Sequence, residues 1–531
     1  LHLEMLTEWM AGKVGMPYLH IDPFKIDFGA VTKLMSTAYA QRARILPVGV
    51  NAREVTIATC EPFVRDWEAS LTQILRLEIK RVIANPLDIQ NYIVEFFNLA
   101  KSVKGATEKD QGAYSSIANF EQLVQLGKSG KLDANDQHVI HICDWLFNYA
   151  FDQRASDIHL EPRREIGNVR FRIDGVLHTV YQIPTTVMAA MTSRIKVLGR
   201  MDVVEKRRPQ DGRIKTVKPD GGEVELRLST MPTAFGEKLV MRIFNPDVLV
   251  KEFSDLGFSE DDLKKWNGMI SKPHGIILVT GPTGSGKTTT LYSTLKYLAK
   301  PEVNVCTVED PIEMVEPQFN QMQVQQNIGV DFATGIRTLM RQDPDIIMVG
   351  EIRDIETAEM AIQAALTGHL VLSTLHTNDA PAAITRMLDL GVPPYLLNST
   401  VLGVMAQRLV RVLCPACKEK QELEDSAWEV LVSPWKAPKP DFTYVAKGCL
   451  DCRMTGYVGR IGIYEMMVLN SDLRVLINER TDMDMLREQA YREGVKPLRI
   501  SGALKVAAGI TTVDEVMKVA PPMHDRRKNL R

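Results

Sequence analysis

The segment Gly281-Pro282-Thr283-Gly284-Ser285-Gly286-Lys287-Thr288 satisfies the pattern G-x-x-x-x-G-K-[ST] in full. The chemistry of phosphate binding calls for these residue types. Glycines let successive backbone N–H groups curl around phosphate oxygens, and Lys287 neutralises the β and γ oxygens. Thr288 offers a hydroxyl to Mg²⁺, and the helix N-terminus adds partial positive charge. The flanks agree: Ile276 to Val279 reads as a buried strand and Thr289 to Leu298 as a helix. A nucleotide site holding ATP and Mg²⁺ is therefore expected at Gly281 to Thr289, Pro282, Thr283, Gly284, Ser285 and Gly286 included.

Hydrolysis at such a site needs a carboxylate to polarise the attacking water and another to order the metal's shell. Val303 to Val308 alternates like a strand and ends in Glu309-Asp310-Pro311. Ile346 to Val349 ends in Gly350-Glu351, and Leu370 to Ser373 ends near His376. In open α/β sheets ligands sit outside the carboxyl ends of the strands. Glu309, Glu351 and His376 are thus expected beside the phosphate loop, with Thr288 toward Mg²⁺ and the two carboxylates sharing the water-polarising and metal-ordering roles. His369 is a weaker candidate, since a histidine near a strand end is often hydrogen-bonded structure.

Cys414-Pro-Ala-Cys417 and Cys449-Leu-Asp-Cys452 form two C-x-x-C knuckles separated by 31 residues. Four thiolates make a closed tetrahedral Zn²⁺ site, structural because no open position remains. The spacer must form an excursion of its own. Cys60, Cys143 and Cys306 are isolated and read as small buried core residues.

Residues 194 to 215 carry eight basic side chains against three acidic ones, in a chain whose net charge is −2. Arg227 and Arg242 follow on expected strands. Such arginines suit either nucleic acid or the phosphates of a nucleotide. Few aromatics interleave with them, so stacking on single strands is poorly supported.

The elements that position these groups fall into an ordinary globular composition. The chain has 531 residues, 45% hydrophobic and 24% charged, enough for roughly three to four domains. A globally basic nucleic-acid binder is disfavoured, and no apolar run reaches the ~18 residues of a membrane span. Residues 1–104 read as a small α/β domain, 105–134 as a linker with one brief helix, and 135–248 as an α/β domain on an antiparallel sheet. From about 253 to 520, strand–helix alternation implies a parallel sheet with crossover helices, carrying the cysteine excursion at 411–455.

At this point the chain resembles the bacterial ATPases of type II secretion and type IV pilus assembly. The likeness spans about residues 135 to 515. It is carried by Ser156-Asp-Ile-His-Leu-Glu161-Pro, Pro209-Gln-Asp-Gly-Arg213, Glu225-Leu-Arg227-Leu-Ser, Thr307-Val-Glu309-Asp310-Pro, Glu351-Ile-Arg353-Asp354, Thr367-Gly-His369 and Leu375-His376-Thr377. The resemblance implies a RecA-like P-loop motor preceded by a PAS-like domain and a small adaptor domain, with a zinc-binding insertion. It implies a homo-hexamer at the inner face of the cytoplasmic membrane, engaging a platform protein and an adaptor protein through its amino-terminal domain, and no nucleic acid. Glu309 would be the base and Glu351 the metal-shell organiser, while Arg213 and Arg227 would reach the γ-phosphate. Secretion is the first expectation, pilus assembly the second, and a RecA-like nucleic-acid translocase a distant third. The cyclic-dinucleotide motif found near the start of some members is not visible in residues 1–104.

Overall fold

A computed structural model describes residues 3–21, 26, 28–51, 53–107, 136–218, 221–244, 250–435, 437–449 and 451–520. The chain divides into two compact units, Leu1–Phe244 and Asn245–Arg531. The brief helix expected near residues 120–126 lies outside the described residues. No helix among the described residues is long and apolar enough to cross a membrane.

The first unit holds two sheets. β1 (Ile45–Val50) and β2 (Glu54–Thr59) pair antiparallel, and β3 (Glu78–Ile83) joins β2 in parallel. The Asn51 side chain closes the β1–β2 turn by accepting from the Arg53 and Glu54 N–H groups. The helix expected at Asp88 to Leu99 runs over Pro86–Thr107, into the region expected to be linker. Its buried Glu95 accepts a 2.9 Å hydrogen bond from Tyr149 on the helix Gln137–Asp152.

The second sheet contains β4 (Asp157–Glu161), β5 (Ile166–Ile173), β6 (Val176–Pro184), β7 (Gln210–Val217), β8 (Glu223–Thr233) and β9 (Gly236–Phe244). It is antiparallel throughout, in the order β6-β5-β4-β9-β8-β7. Side chains alternate across a strand. Ile158, Leu160, Val169, Phe171, Leu226, Leu228, Leu239 and Met241 therefore enter the core with the helix Thr185–Leu198. Asp157, His159, Glu161, Arg170, Arg172, Arg227 and Arg242 occupy the opposite face.

In the second unit, β10 (Gly275–Thr280), β11 (Val305–Glu309), β12 (Asn320–Gln323), β13 (Ile346–Val349), β14 (Leu370–Leu375), β15 (Val401–Leu413) and β18 (Tyr457–Val468) form one sheet. Its order is β12-β11-β13-β14-β10-β15-β18, parallel except for the last pair. Both faces are covered, so the strands are near-continuous apolar runs. Ile276 and Leu278 enter one core cluster, Ile277 and Val279 the other. Asp331, Asp354 and Asp379 cap three helices of this unit by accepting backbone N–H bonds of 2.7–2.8 Å, satisfying donors that a helix start leaves open. The cysteine spacer does form an excursion, with β16 (Glu419–Gln421) and β17 (Thr443–Val445) paired antiparallel and the helix Asp425–Val432 between them.

Candidate active site

β10 ends at Thr280, and the loop beyond it turns on three glycines with φ of +152° (Gly281), +80° (Gly284) and +87° (Gly286). L-residues with a Cβ avoid these conformations. Gly286 caps the helix Lys287–Leu298, one residue pair earlier than the sequence suggests. A Cβ on Gly281 would stand 2.5 Å from the Gln407 carbonyl oxygen and 2.6 Å from Ser285 Oγ. The close approach is set by β15, which runs beside β10 and brings Gln407 and Arg408 under the loop. Gln407 accepts from Thr290 Oγ1 at 2.9 Å. Buried Arg408 donates to the carbonyls of Gln407 and Asn378, both at 3.0 Å. Ser285 Oγ is buried with no hydrogen-bond partner among the described residues.

Lys287 is only 8% exposed. Its ammonium donates to the carbonyls of Gly281 (2.8 Å) and Pro282 (3.1 Å). Burial pulls its pKa down to about 8; Glu351 opposes the shift and Arg408 adds to it. A cation so poorly solvated is well placed to gain from an incoming phosphate. Thr288 follows on the same helix, half-buried.

Because β10, β11, β13 and β14 are parallel, their carboxyl ends share one edge, and the expected carboxylates arrive there. Glu309 is the last residue of β11 and is 4% exposed. Tyr292 donates to its Oε2 at 2.5 Å, while Thr307 Oγ1 (2.6 Å) and Gln321 Nε2 (3.1 Å) donate to its Oε1. Glu351 follows β13 and is half-buried. It pairs with the Arg353 guanidinium and stands 3.5 Å from His376 Nε2. Burial lowers the His376 pKa, with Lys287 next in weight. At neutral pH the imidazole is therefore chiefly neutral. His369 lies at the other end of β14, where Nδ1 meets the Ala364 carbonyl at 2.8 Å and Thr367 Oγ1 at 3.1 Å. It stands before the first residue of β14, away from the edge where Glu309, Glu351 and His376 gather.

Arg213 on β7 stands directly opposite Arg227 on β8, and Arg227 opposite Arg242 on β9. The row continues through Asp157, which pairs with Arg242 at 3.2 Å, to Arg172. Arg227 stacks 3.9 Å over the Phe244 ring and pairs with Glu225. Arg213 is exposed. Lys196, counted in the basic segment, belongs elsewhere: it is wholly buried, bonded at 2.7 Å to both Glu237 and the Glu205 carbonyl.

The four expected cysteines converge. Their sulfurs lie within 4.8 Å of one another, with Cys414–Cys449 and Cys417–Cys452 at 3.8 Å and Cys449–Cys452 at 3.7 Å. Sulfurs held about 2.3 Å from a central Zn²⁺ stand about 3.8 Å apart in a tetrahedron, so the donor set fits that ion. The N–H groups of Cys449 and Gly456 point at Cys452 Sγ at 3.1 and 3.2 Å, the outer contacts a bound thiolate requires. Of the isolated cysteines, Cys143 and Cys306 are buried as expected, whereas Cys60 is half-buried.

Tyr292, Gln321, Gln407 and Arg408 complete the site without having been given a role from sequence, and Arg353, quoted there only within the family motif, pairs with Glu351. Only Tyr292 carried a usable signal: it follows Thr288 by four residues and so shares its helix face.

The family described as Type II/IV secretion system protein matches residues 133–518. The MshEN domain matches residues 14–103, the segment in which the sequence shows only a small α/β domain. The type IV pilus assembly ATPase TfpB of Acinetobacter baylyi is 55% identical over 97% of this chain and 88% of its own length. Type II secretion system protein E of Pseudomonas aeruginosa is 48% identical over 72% of this chain and 76% of its own length. The crystal structure of the pilus retraction motor PilT with bound ADP superposes with a TM-score of 0.51 at 26% identity, covering 72% of this chain and 97% of that one. With a phosphate loop, carboxylates at the same sheet edge and this likeness along nearly its whole length, the chain belongs to the type II/IV secretion system family and is an ATPase of the secretion and pilus-assembly kind.

Proposed function

We propose that this ATPase powers assembly of a type IV pilus, working as a homo-hexamer at the inner face of the cytoplasmic membrane. The observation that carries the reading is the 55% identity to a pilus assembly ATPase over 97% of the chain, amino-terminal domain included. Within it, Lys287 and the backbone of Gly281–Thr289 hold the phosphates. Thr288 and Glu351 order Mg²⁺, and His376 beside Glu351 reports on the phosphates. Glu309 is the base that takes the proton of the attacking water. Arg213 and Arg227 grip the γ-phosphate, a contact that disappears on hydrolysis and so converts chemistry into motion. Cys414, Cys417, Cys449 and Cys452 hold a structural Zn²⁺. Residues 1–104 engage the membrane platform and its adaptor.

Type II secretion, the first expectation from sequence, is the second reading, favoured by 48% identity to a secretion protein E over 72% of the chain. The two separate in the parent bacterium carrying Lys287→Ala. Loss of surface pili with unchanged exoprotein export supports the first; lost export with normal piliation overturns it. For the ring, turnover per chain rises with protein concentration, and Arg213→Ala or Arg227→Ala lowers turnover with ADP affinity little changed. Monomer fractions as active per chain as the assembled ring would refute the hexamer.

A further inference from the structure

Glu309 is locked by three donors, and one of them comes from the phosphate-loop helix itself. Tyr292 lies one turn beyond Thr288 on the same face of the helix Lys287–Leu298. Its ring is fully buried and lies 6.0 Å from the Phe319 ring, tilted at 55° to it. Its hydroxyl meets three partners: Glu309 Oε2 at 2.5 Å, the Met314 carbonyl at 3.2 Å and Gln321 Nε2 at 3.1 Å. A phenol has one proton to give. With Gln321 donating to it, that proton goes to the carboxylate, the shorter and charge-assisted contact. Gln321 Nε2 also lies within reach of Glu309 Oε1 and the Met314 carbonyl, so its two protons are shared among three acceptors, and its own carbonyl accepts the Glu316 N–H at 2.8 Å. The loop following β11 is thus tied to the same pair of side chains.

From this geometry we propose that Tyr292 is a positioning residue for ATP hydrolysis: it ties the carboxylate of Glu309 to the helix that begins at Lys287, so that base and phosphate loop keep one spacing. The proposal rests on Glu309 acting as the base. Burial drives the Tyr292 phenol well above its ordinary pKa, so it stays a donor wherever the enzyme works. Without Tyr292, Thr307 and Gln321 hold Oε1 only, and Oε2, the other oxygen of the carboxylate, loses its donor. A misplaced base loses rate far more than it loses nucleotide, because the groups that bind phosphate are untouched.

The test is a double-mutant cycle on the full chain, with kcat and KM for ATP measured for each member. Tyr292→Phe keeps the ring and its packing. It lowers kcat about tenfold, as expected for one hydrogen bond to a charged group, and leaves KM within about twofold. On a Glu309→Gln background, single-turnover hydrolysis falls no further when Tyr292→Phe is added, because the contact has no base left to hold. Should Tyr292→Phe lose its fold, half-buried Gln321→Ala removes the neighbouring donor from outside the helix and lowers kcat in the same way. Unchanged kcat in Tyr292→Phe, or an equal fractional loss on both backgrounds, overturns the proposal. Substantial turnover by Glu309→Gln alone would instead remove Glu309 as the base, and the proposal with it.

Discussion

Gly281→Ala isolates the tightest point of the phosphate loop. The added methyl would stand 2.5 Å from the Gln407 carbonyl oxygen, where ordinary contact begins at 3.4 Å, so the loop or β15 must give by 0.9 Å. β15 is hydrogen-bonded on both sides, to β10 and to β18, and the loop is the softer partner. At φ +152° the backbone also leaves the range open to alanine. Such strain costs about 1–3 kcal/mol. The strained loop can relax only by abandoning the shape that wraps phosphate, so the same energy appears as weaker binding, about five- to 150-fold in Kd. The Gly281 carbonyl, which now accepts from Lys287 at 2.8 Å, shifts with it. Titration with a fluorescent ATP analogue measures the effect. Melting checks that the cost stays local, with a Tm drop of no more than about 2–4 °C per kcal/mol for a unit this large. An unchanged Kd in a folded Gly281→Ala protein would show that β15 yields instead, and the argument from close packing would fail.

Two further outcomes follow from the geometry. Purified protein should contain one Zn²⁺ per chain, and Cys414→Ser should raise proteolysis within residues 411–455 with ATP affinity unchanged; metal well under one equivalent with four titratable thiols would reject the site. Glu465 on β18 is wholly buried, accepts the N–H groups of Ala380 (2.9 Å) and Leu498 (3.3 Å), and faces Asp379, Arg487, Arg408 and Tyr491. Burial, then Asp379, pushes its pKa up from 4.5 to about 7. Between those values the folded chain holds a proton that the unfolded chain has released. Its contribution is therefore fully present below pH 4.5 and lost as pH rises through about 7. Glu465→Gln should flatten the decline of Tm from pH 5 to 8; an identical slope in both proteins would contradict the assignment.

Much of the site was legible because its signals are local. The phosphate loop lies within eight consecutive residues, and each C-x-x-C pair within four. Glu309 and Glu351 were placed by one rule, that the carboxyl ends of parallel strands share an edge. What sequence hid was long-range. Gln407 and Arg408 matter because β15 lies beside β10, a pairing across more than a hundred residues. Lys196 read as surface charge because its partner Glu237 is 41 residues away. β3 was overlooked because Glu78, Lys80 and Arg81 break up its apolar pattern. His369 and His376 stand seven positions apart, yet the six-residue β14 between them puts them at opposite edges of the sheet.

The cysteine excursion leaves the motor sheet after Leu413 and rejoins it at Tyr457, and those two residues face each other on neighbouring strands. Topologically it is the tip of a hairpin, 43 residues long where a short turn could close the same two strands. A segment attached at one rung could be independent of the nucleotide chemistry, but this one is packed into the motor. Trp428, Leu431 and Val432 of its helix have joined the same apolar cluster as Ile276 and Leu278, and Lys418 donates to the Gly509 carbonyl. Cutting the hairpin back would open the motor's own interior to water, so the excursion is bound into the stability of the unit that carries it.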